Sequence, residues 1–320
     1  MVTLCTHSLQ ATTPSGTPSR GLERKAKHMA RIGVVGAGRV GAVLAAALRA
    51  AGHEIVAVAG ESDATRTRIE TLLPGIPVRK PSAVARAADV LLLTVPDDAL
   101  SNVAAMLSAS EAIHPGQYVL HTSGRHGTDI LQPAAERGAH VGAMHPAMTF
   151  TGTDVDLARV PTTVFGCTGA ADLRTLVEGL VADLGGRAVW VAEEQRVLYH
   201  AALAHGANHL VTLVNQATEM LRATGVDDPA AIVRPLMQAA LDNALAYGDA
   251  ALTGPIVRGD VQTVRDHLQT LADTSLEALE SYVAMGRATA NHAVLDGRLQ
   301  PHRAAAVVEA LNDGWVRATG

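Results

Sequence analysis

The sequence predicts an α/β protein with a doubly wound parallel sheet and extra strands, followed by an all-α C-terminal domain. Two patterns lead to this prediction. Between residues 31 and 194, short apolar runs rich in β-branched residues alternate with alanine-rich stretches of helical length, as in parallel sheets covered by helices on both faces. After residue 194 the strand-like runs stop and only helix-length segments follow, so the second domain is expected to be entirely helical.

The individual elements follow from these runs. Strands are expected at residues 31–36, 54–60, 89–95, 117–123, 139–144, 161–166 and 187–194. The run that ends at Val95 is counted as the fourth strand, which is expected to flank the switch point of the sheet together with the first. The later helices are expected at residues 195–223, 229–247, 261–284 and 302–318.

Length and composition divide the chain into three parts. The 320 residues are enough for two domains of ordinary size. Residues 1–30 are rich in Ser, Thr, Pro and Gly and have no periodicity, so they are expected to be a flexible extension. Residues 31–194 are the expected α/β domain, and residues 195–320 the expected helical domain.

Composition also narrows the functional classes. A formal net charge of -5 disfavours nucleic acid as a partner, and no apolar run approaches the roughly 20 residues of a membrane span. The beginning of the chain lacks the apolar core of a secretory signal. The two cysteines, Cys5 and Cys167, are far apart and without metal-ligand spacing. We therefore expect a cytoplasmic protein without a metal site.

A glycine-rich motif predicts a dinucleotide site. It follows the apolar strand Ile32–Val35 and opens the helix Val40–Ala51, the context in which a GxGxxG motif is informative. The first glycine permits the tight turn, the second lets the backbone approach a pyrophosphate, and the third allows close packing of helix on strand. The helix N-terminus attracts phosphate. The expected cofactor-binding residues of this Rossmann-type motif are Gly36, Gly38, Arg39, Val40 and Gly41.

The end of the second strand leaves the choice between NAD and NADP open. Glu61 lies 20 residues beyond Gly41, where a carboxylate binds the ribose 2′-hydroxyl of NAD. Ser62, Thr65, Arg66 and Arg68 follow at once and could hold a 2′-phosphate instead. We slightly prefer NADP, although the arginines could equally form a solvated helix face.

The loop after the strand that ends at Val95 is expected to contact the nicotinamide half of the cofactor, because this strand flanks the switch point of the sheet. Val95, Pro96 and Asp97 are the residues concerned. The alternative is that Asp97 or Asp98 simply caps the next helix.

Two more strand ends carry polar residues on the same carboxyl edge. His121-Thr122-Ser123-Gly124 ends one strand and His145-Pro146 ends the next. Hydride transfer requires a proton to be exchanged with the substrate oxygen, and histidine suits this role. We predict that His145 is the acid/base and that Ser123 hydrogen-bonds the substrate oxygen. His121 is assigned to substrate and Thr122 to cofactor.

A purely structural interpretation of these strand ends also stays open. The histidines could satisfy loop backbone groups, and Ser123 could be a turn residue.

The first long helix of the second domain carries a polar stripe. With 100° per residue, the polar residues fall on one side of a helix otherwise made of Ala, Leu and Val; they are His200, His205, Asn208, Thr212 and Asn215. A cleft lining and a solvent-facing stripe are both compatible with this pattern. We assign His200 and Asn208 to the catalytic site and expect Tyr199 to be a packing residue.

The segment at residues 252–260 has two interpretations. Arg258 offers a planar fork for a substrate carboxylate or phosphate, and Thr253 could add a hydroxyl. The segment could instead be only a connector in which Asp260 caps the next helix.

With these residues identified, the chain resembles the superfamily of 6-phosphogluconate dehydrogenase, ketopantoate reductase and pyrroline-5-carboxylate reductase. The segments HTSG, HPAMTF, YHAALAHGANH and LTGPIVRGD more specifically resemble Rossmann-like proteins whose C-terminal domain is a domain of unknown function. In that superfamily the helical domain usually forms a homodimer in which the partner helps to close the active site, so the resemblance implies a homodimer here.

A second resemblance concerns the mechanism. Ser123 and His145-Pro146 are similar to the pattern of prephenate dehydrogenases, in which the His hydrogen-bonds the hydroxyl being oxidised and the Ser assists. The hydroxyacid dehydrogenases of the superfamily use a Lys with a nearby Asn. This chain has Asn208 but no lysine beyond Lys80, so their mechanism does not transfer intact.

The prediction is therefore an NAD(P)-dependent oxidoreductase that acts on a small, anionic carbonyl or hydroxy compound, with a ketopantoate-reductase-like activity as the first guess. The alternative is a non-catalytic NAD(P)-binding sensor or regulatory protein, which the missing lysine favours. A metal enzyme using His121, His145 and His200 is a third option, although carboxylates at ligand spacing are lacking.

Overall fold

The computed structural model describes residues 29–319. The chain divides into two compact units between His200 and Ala201. The flexible extension predicted for residues 1–30 lies outside the described residues except for Met29 and Ala30, and so does Cys5. Within the described part, no helix combines the length and the apolarity that a membrane crossing requires.

The first unit is built on one seven-stranded sheet. Its order is β2-β1-β3-β4-β5-β6-β7, and neighbouring strands are parallel except for the antiparallel pair β5 and β6. This confirms the predicted fold class, with β6 and β7 as the extra strands. The strands are β1 Arg31–Val35, β2 Glu54–Ala59, β3 Val90–Leu93, β4 Tyr118–His121, β5 His140–Pro146, β6 Val164–Gly169 and β7 Arg187–Trp190.

The strand count expected from the sequence was wrong in one place. The strand at Val90–Leu93 is the third along the chain and not the fourth, and it lies directly beside β1. Residues 77–79 contribute only an isolated bridge between Val78 and Val58 of β2. Pro77 has no N–H to donate and Pro81 starts a helix, so the segment between the two prolines is too short for a longer ladder.

Helices cover both faces of this sheet, and alternate strand residues face opposite cores. Val34 and Leu92 lie in one apolar cluster with residues of α1 and α7, whereas Val35 and Leu93 lie in a second cluster with residues of α4. Alternation with both faces buried explains why the strands are apolar throughout. The helices are α1 Arg39–Ala50, α2 Asp63–Leu72, α3 Pro81–Ala87, α4 Asp97–Ala109, α5 Gln132–Ala135, α6 Asp154–Leu157 and α7 Arg174–Asp183.

The second unit contains only helices among its described residues. Their bounds are α8 Arg196–Ala223, which begins in the first unit, α9 Pro229–Tyr247, α10 Pro255–Arg258, α11 Val261–Thr274, α12 Leu276–Leu295 and α13 Pro301–Thr319. Residues of α11, α12 and α13 share an apolar cluster that includes Leu268, Leu279 and Leu311. The predicted all-α domain is thus confirmed for residues 201–319.

One predicted helix is in fact two. Residues 261–284 were expected to form a single helix, but the chain breaks at Ser275, which is extended at φ -160° and ψ 108°. The Ser275 side chain accepts a hydrogen bond from the Ala278 N–H and so caps α12. This second helix then continues to Leu295, well past the predicted end.

Candidate active site

Two glycines of the GxGxxG motif are required by close packing. At Gly36, φ is +97°, and a Cβ would lie 2.7 Å from the backbone nitrogen of Val95. At Gly41 a Cβ would collide with the Thr94 hydroxyl. That hydroxyl donates to the carbonyl of Gly36 across 2.7 Å. Strands β1 and β3 and helix α1 can approach this closely only without side chains at the two positions.

Gly38 differs because it faces open space. A Cβ at this position would meet only the carbonyl oxygen of Gly36, at 3.9 Å. Gly38 is also the N-cap of α1, and the helix begins there without a side-chain cap. The first-turn backbone N–H groups, which include those of Arg39 and Val40, therefore lack a capping side chain and are suited to an anionic group. A dinucleotide pyrophosphate fits this arrangement.

A cleft of about 600 Å³ extends from this loop along the carboxyl ends of β1, β2 and β3. Such an edge, at the switch point of the sheet, is where doubly wound folds bind ligands. The cleft contains the predicted residues Gly36, Gly38, Glu61, Val95 and Pro96. Its further lining residues are Val35, Ala37, Ala59, Gly60, Thr65, Arg79, Lys80, Pro81, Thr94 and Val103.

Arg79 and Lys80 are cleft residues that the sequence analysis missed. The bridge between Val58 and Val78 holds this segment beside β2, and the Arg79 N–H donates to the Val58 carbonyl across 2.9 Å. Both side chains are exposed. Two adjacent basic residues directly before the Pro81 helix start were the signal in the sequence.

The residues predicted to hold a 2′-phosphate have other contacts. The Ser62 hydroxyl accepts from the Thr65 N–H and caps α2. Arg66 forms an ion pair with Asp63 at 3.2 Å, and Arg68 donates to the Ala64 carbonyl. Only Thr65 of this group lines the cleft.

The end of β3 is tied to the end of β4 by side chains. Helix α4 begins at Asp97, its N-cap is Pro96, and no side chain caps it. The carboxylate of Asp97 instead accepts a hydrogen bond from the Ser123 hydroxyl at 2.9 Å. The Asp97 side chain therefore does not cap α4, which was the alternative role that the sequence allowed for it. Thr122 is half-buried, and its N–H donates to Leu93.

His121 holds the loop after β4. It is fully buried. Nε2 lies 2.7 Å from the Gly127 carbonyl, and Nδ1 accepts from the Ser123 N–H at 3.1 Å. Burial lowers the pKa of His121 to about 4. Both nitrogens are engaged by backbone groups, so this structure leaves none for the substrate contact that we predicted.

His145 lies at the centre of the polar cluster. Its Nδ1 is 3.0 Å from the Tyr199 hydroxyl, and its ring lies edge to face with His200, with centroids 6.2 Å apart. Gly124 completes the group, because a Cβ there would lie 3.0 Å from Nε2 of His145 and 2.6 Å from Cδ2 of His200. Burial, followed by the nearby Arg196 charge, lowers the pKa of His145 to about 4.

Arg196 is a buried cation that the sequence analysis did not identify. Its side chain donates to the carbonyls of Ser123, His126 and Gly166. Among the described residues, no carboxylate lies within ion-pair distance of it. Its Cζ lies 5.3 Å from the centroid of the Tyr199 ring. A single arginine at a helix start gives no sequence signal of burial, because its acceptors lie in two distant segments, the loop after β4 and strand β6.

The remaining predicted residues belong to the second unit. Asn208, His205, Thr212 and Asn215 are all exposed on α8, and Nδ1 of His205 is 2.9 Å from Nδ1 of His209. Thr253 is exposed. Asp260 caps α11 by accepting from the Thr263 N–H, as the connector interpretation expects. The assignments of Asn208, Thr253 and Arg258 to the site stay predictions.

Arg258 lies in a shallow cleft of the second unit, and the other basic residues of that cleft are Arg298 and Arg303. Within residues 29–319, no three side chains of His, Cys, Asp or Glu are placed to hold a metal ion.

The sheet order, the glycine loop at the switch point and the helical second unit define a Rossmann-like protein. Family models agree with this class: residues 16–146 match a Rossmann-like domain, and residues 163–289 match the domain of unknown function DUF2520. The chain thus combines a Rossmann-like domain with a DUF2520 domain, as its four characteristic segments indicated. No curated protein sequence matches it.

Solved structures with the same fold include three that cover most of the chain. A candidate NADP oxidoreductase from Bacteroides fragilis has a TM-score of 0.71 and 20% identity, covering 82% of this chain and 99% of its own. A protein from Thermotoga maritima has a TM-score of 0.64, 21% identity and the same coverage. A pyrroline-5-carboxylate reductase from Coxiella burnetii has a TM-score of 0.53 and 15% identity, covering 91% and 98%. At these identities the likeness establishes the fold.

Proposed function

We propose that the protein is an NAD(P)-dependent oxidoreductase that acts on a small, anionic carbonyl or hydroxy compound. One observation carries the proposal. The open glycine loop after β1 and the polar residues at the ends of β3, β4 and β5 share the carboxyl edge of one sheet, within the first unit. The similar structures from Bacteroides fragilis and Coxiella burnetii, by their names an NADP oxidoreductase and a reductase, support the same class.

Bound NAD(P) would accept or supply a hydride, and the residues of the cluster would hold the oxygen of the substrate. The Ser123 hydrogen points to Asp97, so the Ser123 oxygen is an acceptor for a substrate hydroxyl. His145 is neutral at pH 7 because burial lowers its pKa to about 4, and Nε2 is the nitrogen on the Gly124 side. A neutral imidazole can exchange a proton with a neighbouring oxygen.

An anionic substrate is favoured by the charge of Arg196. This guanidinium is 1% exposed, and its hydrogen bonds are to neutral carbonyl groups. Its charge is therefore not cancelled by an adjacent carboxylate within the described chain. In a partly desolvated site such a charge attracts an anion more strongly than it would in water. A ketopantoate-type ketoacid remains the first compound to assay.

NADP is the preferred cofactor in this proposal. Arg79 and Lys80 line the cleft together with Glu61, so two positive charges and one negative charge border it. A 2′-phosphate can accept charge-assisted hydrogen bonds from both basic side chains. Arg66 pairs with Asp63 and is not among the lining residues of the cleft, so the 2′-phosphate contact is assigned to Arg79 and Lys80 instead.

The cofactor preference is testable with four variants. Lys80→Ala and Arg79→Ala should each weaken NADPH binding by about tenfold to a hundredfold, since hydrogen bonds to charged groups contribute about 1.5–3 kcal/mol, and should leave NADH binding nearly unchanged. Glu61→Gln should raise the ratio of NADPH to NADH affinity. Arg66→Ala is the matched control. If Arg66→Ala weakens NADPH binding and Lys80→Ala does not, the assignment of Lys80 is wrong.

The activity itself is tested by turnover. Purified protein with NADPH is assayed against small ketoacids and other carbonyl compounds by the loss of reduced-nicotinamide absorbance. His145→Gln should abolish turnover and keep NADPH affinity. A non-catalytic sensor is the rival function, and it predicts NADPH binding without turnover of any compound and no effect of His145→Gln on cofactor affinity or partner response.

We also propose a homodimer formed through the helical domain, as the resemblance implies. Helix α9 supports this, because five of its large apolar side chains are exposed within the chain, namely Ile232, Leu236, Leu241, Leu245 and Tyr247. Burial of such a surface against a second copy is favourable.

A further inference from the structure

The two ring nitrogens of His145 have different surroundings. Nδ1 lies 3.0 Å from the Tyr199 hydroxyl, and the two rings meet edge to face with centroids 5.7 Å apart. Nε2 lies on the side of Gly124. Among the described residues, every fully buried side-chain nitrogen or oxygen has a hydrogen-bond partner. In the ring of His145 the hydrogen bond is made by Nδ1, so Nε2, which has no such partner, is not fully buried. Nε2 is therefore accessible from the site.

The surroundings of the Tyr199 oxygen decide where the shared hydrogen lies. Gly166 is packed against this oxygen, since any side chain there would collide with it, and Nδ1 of His145 is the hydrogen-bond partner that the structure shows for the hydroxyl. The hydroxyl hydrogen needs an acceptor, and among the described residues Nδ1 of His145 is the one within reach. Burial raises the pKa of Tyr199, which keeps the hydroxyl protonated.

Charge excludes the doubly protonated ring. The buried guanidinium of Arg196 lies beside Tyr199 and is anchored on the carbonyls of Ser123 and Gly166. Burial and this nearby positive charge both disfavour a cationic His145. A neutral imidazole carries one hydrogen, and a ring that accepts at Nδ1 carries it on Nε2.

We propose that Tyr199 is a positioning residue whose hydroxyl donates to Nδ1 of His145 and thereby keeps the imidazole hydrogen on Nε2, facing the substrate. Within the oxidoreductase function proposed above, on which this inference rests for its chemical meaning, His145 then acts as a neutral hydrogen-bond donor. A donor at this position stabilises negative charge that develops on the oxygen of a carbonyl as it is reduced.

The tautomer can be observed without substrate or cofactor. Protein labelled with ¹⁵N-histidine gives long-range ¹H–¹⁵N spectra in which the protonated and the bare ring nitrogen of each histidine are distinguished. The signals of His145 are those lost in His145→Gln. Tyr199→Phe removes the hydroxyl only. Tyr282→Phe is the matched control, because the Tyr282 hydroxyl makes the same type of contact, 2.9 Å, with Nδ1 of His267 in the second unit.

We expect His145 of the unaltered protein at pH 7 to be in the Nε2–H form. Tyr199→Phe should convert it into a mixture of tautomers or into the Nδ1–H form, whereas Tyr282→Phe should leave its signals in place. The other histidine signals report whether each variant is folded. An Nδ1–H form or a cation in the unaltered protein overturns the proposal, and so does an unchanged tautomer in folded Tyr199→Phe.

This test separates the inference from the proposed function. If NADPH fails to bind but the spectra show the expected tautomers, the oxidoreductase function fails and the role of Tyr199 stands. Once a substrate is found, Tyr199→Phe should lower kcat and leave the KM for NADPH nearly unchanged. A change in that KM without a change in kcat would contradict the positioning role.

Discussion

The hydroxyl of Ser123 donates a hydrogen bond to the carboxylate of Asp97 across 2.9 Å. The two residues follow neighbouring strands, β4 and β3, and the same serine oxygen accepts from the His126 N–H at 3.2 Å. The contact thus joins the loop after β4 to the start of α4. It also commits the hydrogen of Ser123 to the carboxylate, which leaves the serine oxygen to act as an acceptor.

Loss of this hydroxyl should affect both stability and turnover. Ser123→Ala should lower the free energy of unfolding by about 1 kcal/mol, the typical net value of such a hydrogen bond, and should lower turnover of the NADPH-dependent reaction. The control is Ser108→Ala, which removes a buried hydroxyl that donates to Ala104 within α4. Denaturant unfolding and turnover are measured for both. Equal turnover in the two variants would show that Ser123 is a structural residue only.

Gly38→Ala should weaken cofactor binding without harm to the fold. The new Cβ has free space on the protein side, since its nearest atom is 3.9 Å away, but it occupies the position where a pyrophosphate approaches the backbone. We expect NADPH affinity to fall at least about tenfold, or about 1.4 kcal/mol, with unchanged thermal stability. Gly179→Ala, also in open space in the same unit, should leave NADPH affinity unchanged and raise stability slightly, because it replaces a glycine inside helix α7. Unaltered NADPH binding by Gly38→Ala would place the cofactor elsewhere.

Acid should destabilise the protein through its buried histidines. The pKa values of His121 and His145 are lowered by burial from 6.5 to about 4, so between these pH values the unfolded chain binds protons that the folded chain does not. The free energy of unfolding therefore falls as pH drops from about 6.5 towards about 4. Denaturant unfolding at several pH values checks this. His145→Gln, which removes one of the two groups, should make the fall shallower, and parallel curves for the two proteins would contradict the assignment.

A charge on α9 should dissociate the proposed homodimer. Leu236, 68% exposed, is an apolar side chain that we expect to be covered by a second copy. Sedimentation analysis should show a dimer for the unaltered protein and a monomer for Leu236→Glu. Leu295→Glu, at a residue 75% exposed at the end of α12, is the control and should stay dimeric. A monomeric unaltered protein would contradict the dimer directly.

Local patterns predicted most of the fold. The apolar runs of β1 to β6 became strands of one sheet because most of their residues are buried. The glycine spacing predicted the loop between β1 and α1 because close packing against Val95 and Thr94 leaves no room for side chains at Gly36 and Gly41. The expected strand count failed where Pro77 and Pro81 leave only a single bridge. The break at Ser275 was missed because the apolar periodicity continues across it.

The candidate site was less predictable because its geometry depends on long-range contacts. His145 and Ser123 were identified from their positions at strand ends. Tyr199 was expected to be a packing residue, and its hydroxyl contact with His145 spans 54 positions of sequence. Arg196 gave no signal, since its acceptors at Ser123 and Gly166 are distant along the chain. Arg79 was missed as well, because the bridge that places it at the cleft involves a single residue pair and leaves no strand pattern in the sequence.

The central claim is that the glycine loop holds a nicotinamide dinucleotide, and a fluorescence titration of the purified protein with NADPH and, separately, NADH tests it most directly. We predict saturable binding with a dissociation constant in the micromolar range and tighter binding of NADPH than of NADH. Binding of neither cofactor by the folded protein would contradict the oxidoreductase function, and the glycine loop would then be a packing feature of the sheet alone.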